Sequence, residues 1–323
     1  MQMSLFGSDV RQHDESVWER ILPKCSTNTI FITPWWQATW WRTFGDGRIP
    51  KVQTVSLDED VIGIIPLLPS EKDTTFIGDS SVFDYMDFPV VADRELDFFE
   101  LSWPYIDSMN WSNLRLESIP ESSPTLTHLV EIARNNGHEV LVTESDKTPY
   151  AELPEQWEEY LLSLRKKDRH ELRRKIRRLD AGAKYRQYEP NNKVEMMDEF
   201  FRLMKLSSDE KSRFLINENK IFFTNIAAEL TRRDQFKLFF LEIDGINVAA
   251  CICFDYGGKF LLYNSGYDPE YSSLSIGLIN KAFTINTAIE QGKSEYNFLK
   301  GIERYKYHLG ATDRSVFDIQ VSR

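Results

Sequence analysis

Between Leu164 and Leu179 the chain reads LRKKDRHELRRKIRRL, nine Lys and Arg against two acidic residues in a 323-residue protein of net charge −11. Such a run suits an anion: the phosphates of a nucleotide cofactor, a lipid headgroup layer or an RNA backbone. The plainer alternative is a solvated helix face paired with acids from elsewhere in an acidic chain. Arg173 and Arg174, in the middle of the run, are the candidate anion contacts. A second stretch, SLSIG, puts Ser275, Ile276 and Gly277 at the opening of an expected helix. There, unpaired amides and the helix dipole hold phosphate, and glycine lets the backbone come close. An ordinary serine cap on a buried helix would look the same. Asp84, Asp87 and Asp268 lie in loops leaving strands, where clefts open and a carboxylate can take a proton. Asp268 also precedes Pro269 and suits a turn. Trp36, with Trp35, Trp40 and Trp41, could floor a sugar-binding cleft by stacking, although their helical spacing favours core packing.

Other chemistries find no support. The five histidines, His13, His128, His138, His170 and His308, show no metal spacing, so no metal is expected. Cys251 and Cys253 fall on one face of an apolar strand, as buried thiols do. No G-x-S-x-G elbow, P-loop or full dinucleotide fingerprint occurs. Three cysteines are too few for a disulfide framework and fit a reducing cytoplasm. The N-terminal MQMSLFGSDVRQHDESVWER lacks a basic segment followed by an apolar run, and no stretch is long enough to span a bilayer. A pI near 5.1 argues against nucleic-acid binding by the whole surface and leaves only a local patch for it.

These residues must be positioned by a folded interior, and 41% hydrophobic content with eight Trp and twenty-one Phe can supply one. The length favours two domains. KVQTVSLDEDVIGIIPLLP reads as a hairpin turning at Asp58–Asp60, and FKLFFLEIDGINVAACICFDYGGKFLLYNSGYDP as three strands turning at Asp244–Gly245 and Gly257–Gly258. The first is followed by a strand-like FIG, and then each by a loop, a helix, a strand, a second helix and a strand. Equivalent features lie about 185 residues apart, which implies two copies of one mixed α/β unit, residues 1–150 and 151–323. One helix is expected from Pro154 to Gly182, with Trp157, Leu161, Leu164, Leu172, Ile176 and Leu179 facing the core. Most of its positive charge has no evident local partner, Glu171 with Lys175 being the one well-ordered pair.

The run GYDPEYSSLSIGLINKAFTINTAIEQGKSEYNFLKGIERYKYHLGA resembles the closing segment of GNAT acyltransferases related to CelD-like cellulose-biosynthesis proteins. IFITPWWQATWWRTFG, VFDYMDFPV, EQWEEYLLSLRKKDRHELRRKIRRL and SSDEKSRFL resemble that family in the same order, so the similarity spans most of the chain. The family is also similar to the Fem-type peptidyltransferases, built from two tandem GNAT-like units. The resemblance implies a mixed α/β fold of two such units. It implies transfer of an acyl group from acetyl-CoA or another acyl-CoA, by direct attack in a ternary complex, to an amine of a sugar, sugar nucleotide or cell-envelope precursor. The second unit would hold the donor, and the cleft between units the acceptor. In this reading Tyr305 protonates the leaving thiolate, Lys306 meets substrate or donor phosphate, and Asp84 with Tyr85 supplies the base ahead of Asp268. Where the family commonly carries an acid, this chain has Asn297. The rivals are a Fem-type enzyme using aminoacyl-tRNA, for which the basic helix would grip RNA, and a non-catalytic binding module that keeps the fold.

Overall fold

The computed structural model describes residues 15–323, so the stretch before residue 15, including His13, lies outside the described residues. The chain divides into two compact units, the first running to Lys147 and reclaiming Arg314–Arg323, the second covering Thr148–Asp313.

In the first unit, α1 (Glu15–Ile21) and α2 (Pro34–Phe44) precede a hairpin of β1 (Lys51–Leu57) and β2 (Asp60–Pro69). β3 (Asp73–Phe76), α3 (Glu95–Ser108), β4 (Asn113–Pro120), α4 (His128–Asn135) and β5 (Glu139–Lys147) follow. Thr33 caps α2 and Pro34 opens it, which sets the helix phase that turns its tryptophans inward. Trp36 is fully buried, 4.9 Å from the Phe31 ring and 6.1 Å from Phe83. A side chain with no exposed surface cannot stack on a sugar, so the candidate stacking role of Trp36 is corrected to core packing.

The second unit begins with β6 (Tyr150–Glu152), α5 (Trp157–Ser163), α6 (Lys166–Gly182) and β7 (Tyr185–Tyr188). Three helices follow, α7 (Met197–Ser207), α8 (Asp209–Phe214) and α9 (Asn217–Arg232). The strands β8 (Phe236–Ile243), β9 (Ile246–Tyr256) and β10 (Lys259–Tyr267) lead to α10 (Ile276–Glu290), β11 (Glu295–Asn297) and α11 (Arg304–His308). The last strand, β12 (Ser315–Ser322), lies in the first unit's sheet.

The sheets have the orders β1-β2-β3-β4-β12-β5 and β6-β11-β10-β9-β8-β7. In each, two antiparallel pairings are followed by a parallel one, β3 with β4 and β10 with β11, joined by a crossover helix, α3 or α10. The repeat is therefore one of topology, a mixed α/β unit present twice. The final strand departs from the expected 151–323 boundary. β12 pairs with both β4 and β5, and the position beside β11 is taken by β6. Local sequence marks β12 as a strand but carries no information on which sheet it joins.

The single helix expected over 154–182 is two. Leu164 and Arg165 have extended ψ values of 147° and 139°, which ends α5 and starts α6 anew. The break lets Leu164 turn into the core, while the Tyr160 hydroxyl donates to the Leu309 carbonyl at 2.7 Å just beyond α11. Pro154 lies ahead of α5 rather than inside its first turn. Cys251 and Cys253 are buried in the core that β9 shares with α10. Among the described residues no helix is long and apolar enough to cross a membrane.

Candidate active site

β10 and β11 pair only over Lys259–Leu261 and Glu295–Asn297, after which β10 runs on to Tyr267 without that neighbour. At the far end of β10 a 3-10 turn over Pro269–Leu274 leads into α10. Ser275 joins them in the left-handed region, φ 57°, which redirects the chain so that α10 starts abruptly. The Ile276 and Gly277 amides make no hydrogen bond among the described residues, as expected for the first turn of a helix. Ser275 does not cap the helix. Its hydroxyl instead accepts from Lys175 Nζ at 2.7 Å, and Arg178 donates to the Ser273 carbonyl at 2.9 Å.

Two cavities flank this turn and share Lys175, Leu278 and Tyr305 as walls. The first, about 300 Å³, is lined by Ser275, Ile276, Gly277, Tyr267 and Lys281 as well. Gly277 sits against the Tyr267 ring, where a Cβ would come within 3.2 Å, so glycine keeps this wall open. The second, about 440 Å³, is mainly apolar and is bordered by Leu172, Leu309, Lys167, Asp168 and His308.

Tyr305 stands between them. Its hydroxyl has no hydrogen-bond partner among the described residues, and burial raises it well above the usual phenol range, so it is a protonated acid near neutral pH. The ring covers the Lys281 ammonium at 4.7 Å. Lys281 is buried, donates to the Gly277 carbonyl at 3.1 Å, and its pKa is lowered first by burial. Lys211, half-buried on α8, donates to the Ser265 carbonyl of β10. Burial, with the Lys281 charge adding to it, brings Lys211 down to about 8 from an ordinary 10.5. Between those values the folded protein holds fewer protons than the unfolded chain, so unfolding free energy should rise with pH from about 8 to 10.5. Comparing denaturant midpoints across this window for wild type and Lys211→Met checks the sign: the variant should lose part of the slope.

Lys306 does not face these cavities. Its ammonium is enclosed by the carbonyls of Leu299, Lys300 and Gly301 at 3.0, 2.6 and 2.9 Å and by Glu303 at 3.0 Å. With its donors occupied and its side chain 2% exposed, it cannot serve substrate phosphate as expected, and it pins the loop before α11. Arg173 pairs with Glu158 at 2.7 Å, and Arg174 makes a bidentate pair with Glu171 that holds this carboxyl down at about 2. The positive run is therefore better partnered than its sequence suggests, because α5 turns Glu158 back onto it. Its cavity-facing cations are Lys167 and Lys175, spaced two turns apart.

The aspartates also separate. Asp87 is fully buried and accepts from Thr27, Thr125 and the Phe88 amide at 2.5, 2.6 and 2.9 Å, a pin for the first unit's interior rather than an accessible base. Asp84 and Tyr85 belong to that unit as well. Tyr85 is 6% exposed beside Phe31, and neither residue lines the cavities around Tyr305. Asp268 accepts from the Glu270 amide at 3.0 Å and shapes the turn before α10. Asn297 accepts from the Leu299 amide at 2.9 Å and donates to Glu295 at 3.2 Å, closing the strand end where an acid was expected. Lys175, Lys281 and Lys211 were missed as site residues. Lys175 could have been found from its place on the helix edge facing Leu172, whereas nothing local marks the other two.

Residues 166–307 match the family described as acetyltransferase (GNAT) domain. The fold is similar to that of FemX, at 13% identity over 95% of this chain and 96% of that one, with a TM-score of 0.69. It is similar to a conserved protein of unknown function from Bacteroides thetaiotaomicron, at 11% identity over 97% and 99%, TM-score 0.62. It is also similar to L-PGS from Bacillus licheniformis, at 11% identity over 98% and 94%, TM-score 0.58. At these identities the likeness concerns the fold. No curated protein sequence matches the chain.

Proposed function

We propose that this chain, whose residues 166–307 carry a GNAT-type acetyltransferase domain, is an acyltransferase that moves an acyl group from acyl-CoA to an amine. The reading is supported chiefly by one arrangement: the cavity of about 300 Å³ in which the free Ile276 and Gly277 amides, the Lys175 ammonium and the Tyr305 hydroxyl share a lining. Amides at the start of a 15-residue helix, next to a lysine, form an electropositive mouth suited to the diphosphate of coenzyme A. Gly277 leaves room for that approach. Tyr305, kept protonated by burial, borders the same cavity and in this reading returns a proton to the departing thiolate. Arg173 and Arg174 are left with a general electrostatic role, since both already hold carboxylates.

The acceptor we infer is a sugar, sugar nucleotide or cell-envelope precursor in the cytoplasm, an assignment that rests on the CelD-like motifs GYDPEYSS and YKYHLGA.

Titration calorimetry with acetyl-CoA tests the donor. Wild type should bind it, Lys175→Ala should bind about tenfold more weakly, a loss of about 1.4 kcal/mol for one charge-assisted contact, and higher salt should weaken both. Tyr305→Phe should leave affinity intact and slow thiol release on the order of 10²-fold. Transfer that requires RNA and ignores acetyl-CoA would favour an aminoacyl-tRNA donor instead. Absence of binding to either would favour a non-catalytic module.

A further inference from the structure

In the larger cavity, on the other side of Tyr305, His308 Nδ1 lies 2.7 Å from Asp168 Oδ1. Asp168 is nearly enclosed, its side chain 11% exposed, and its other oxygen forms an ion pair with Arg165 Nε at 3.2 Å. A carboxylate held from behind by a guanidinium presents one fixed oxygen to the imidazole. The proton then sits on Nδ1 and the Nε2 lone pair is left available. Tyr305 and His308 are three residues apart on α11, which puts them on one face of that helix. The acid proposed for the thiolate and this oriented imidazole thus border a single space. His308 is 55% exposed, so a proton it gains can leave to solvent. The remaining charged groups at this space are Lys167, Glu171 and Lys175 from α6.

We propose that the cavity of about 440 Å³ is the acceptor site, that His308 is its general base with Asp168 as the positioning residue, and that it takes a primary amine joined to an apolar moiety. This deepens the acyltransferase reading and rests on it, and it narrows the acceptor inferred above to an amine-bearing cell-envelope precursor with a hydrocarbon part rather than a free sugar or sugar nucleotide. His308 Nε2 takes one proton from the entering ammonium, and the neutral nitrogen bonds to the thioester carbonyl carbon as the C–S bond breaks. The second nitrogen proton replaces the one Tyr305 gives to sulfur. The proton on His308 goes to water, so the products are amide, thiol and one H⁺. The apolar class follows from the lining: Leu172, Leu278 and Leu309 can cover hydrocarbon, and Lys167 at the rim does not repel an anionic substituent.

The test uses acetyl-CoA and a series of n-alkylamines from butylamine to decylamine, with thiol release followed from pH 6 to 10 and acetyl-CoA binding measured separately by calorimetry. Wild type should show kcat/KM rising with chain length until the cavity is full. His308→Gln should bind acetyl-CoA as wild type does, lose on the order of 10²-fold in kcat near neutrality, and recover as pH rises and the amine loses its own proton. Asp168→Asn should lower kcat less than His308→Gln does while leaving the KM for the amine and the affinity for acetyl-CoA unchanged, because the imidazole loses only the carboxylate that orients it. A His308→Gln enzyme within threefold of wild type with the same pH profile, or no chain-length dependence in wild type, overturns the acceptor-site proposal while acetyl-CoA binding leaves the donor reading standing. Failure of wild type to bind acetyl-CoA overturns both.

Discussion

Lys306→Met should lower the unfolding free energy by about 3 kcal/mol, the order expected when several carbonyls lose a charged donor. The ammonium is the hub of the loop before α11: three consecutive carbonyls, from Leu299 to Gly301, converge on it within 3.0 Å. They can converge because Leu299 and Gly301 have φ values of 58° and 101°, a path that an unsupported chain would not favour at leucine. Methionine fills the volume but donates nothing, so the carbonyls lose their partner in a buried site. The urea midpoint should fall sharply. Activity should fall with it even below the unfolding range, since the loop sets where α11 presents Tyr305 and His308. A Lys306→Met protein with wild-type stability would show that the cage is dispensable.

Gly266→Ala should cost about 3 kcal/mol or more, at the upper end for overpacking, or prevent the second unit from folding. Here β10 passes directly beneath α7: an added Cβ would lie 2.3 Å from the Met204 amide nitrogen and 2.5 Å from the Leu203 carbonyl carbon. Those are backbone atoms of a helix whose Phe200, Phe201, Leu203 and Met204 are all buried, so no side chain can swing aside to make room. The displaced helix would carry α8 with it and pull Lys211 from the Ser265 carbonyl. Gly182→Ala is the control. Its nearest neighbour to an added Cβ is a leucine methyl at 4.0 Å, and alanine in the last turn of α6 should be neutral or slightly stabilising. Urea midpoints of the two variants separate a steric requirement from a general dislike of alanine for glycine.

Much of the frame is legible in the sequence for an identifiable reason: it is written in short-range pattern. The acidic turn at Asp58–Asp60, the Asp244–Gly245 and Gly257–Gly258 turns and the alternation around them mark hairpins whose pairings the sheet realises. The tryptophans of α2 recur at helical spacing, and seven consecutive residues of that helix, 34–40, are buried. The order of hairpin, helix and strand repeats, and both sheets repeat it.

What a residue does in the site depends on neighbours that no spacing rule brings together. Tyr305 and Lys306 are adjacent in sequence, yet one helical step of about 100° sends the first to the cavities and the second into a ring of carbonyls. Asp168 and His308 are 140 positions apart and meet only because α5 breaks at Leu164 and α11 is tied to it through Tyr160. The basic run announces positive charge. Which of its cations are taken up by the protein itself follows from Glu158 folding back onto Arg173, and which face a cavity from Ser275 receiving Lys175. By itself the sequence determined most of the elements, their repetition and the chemical types available, because those follow from local backbone preference and periodic burial. Only the tertiary structure decided which of those groups are occupied by their own protein and which remain free, because partnership is a matter of distance across the fold.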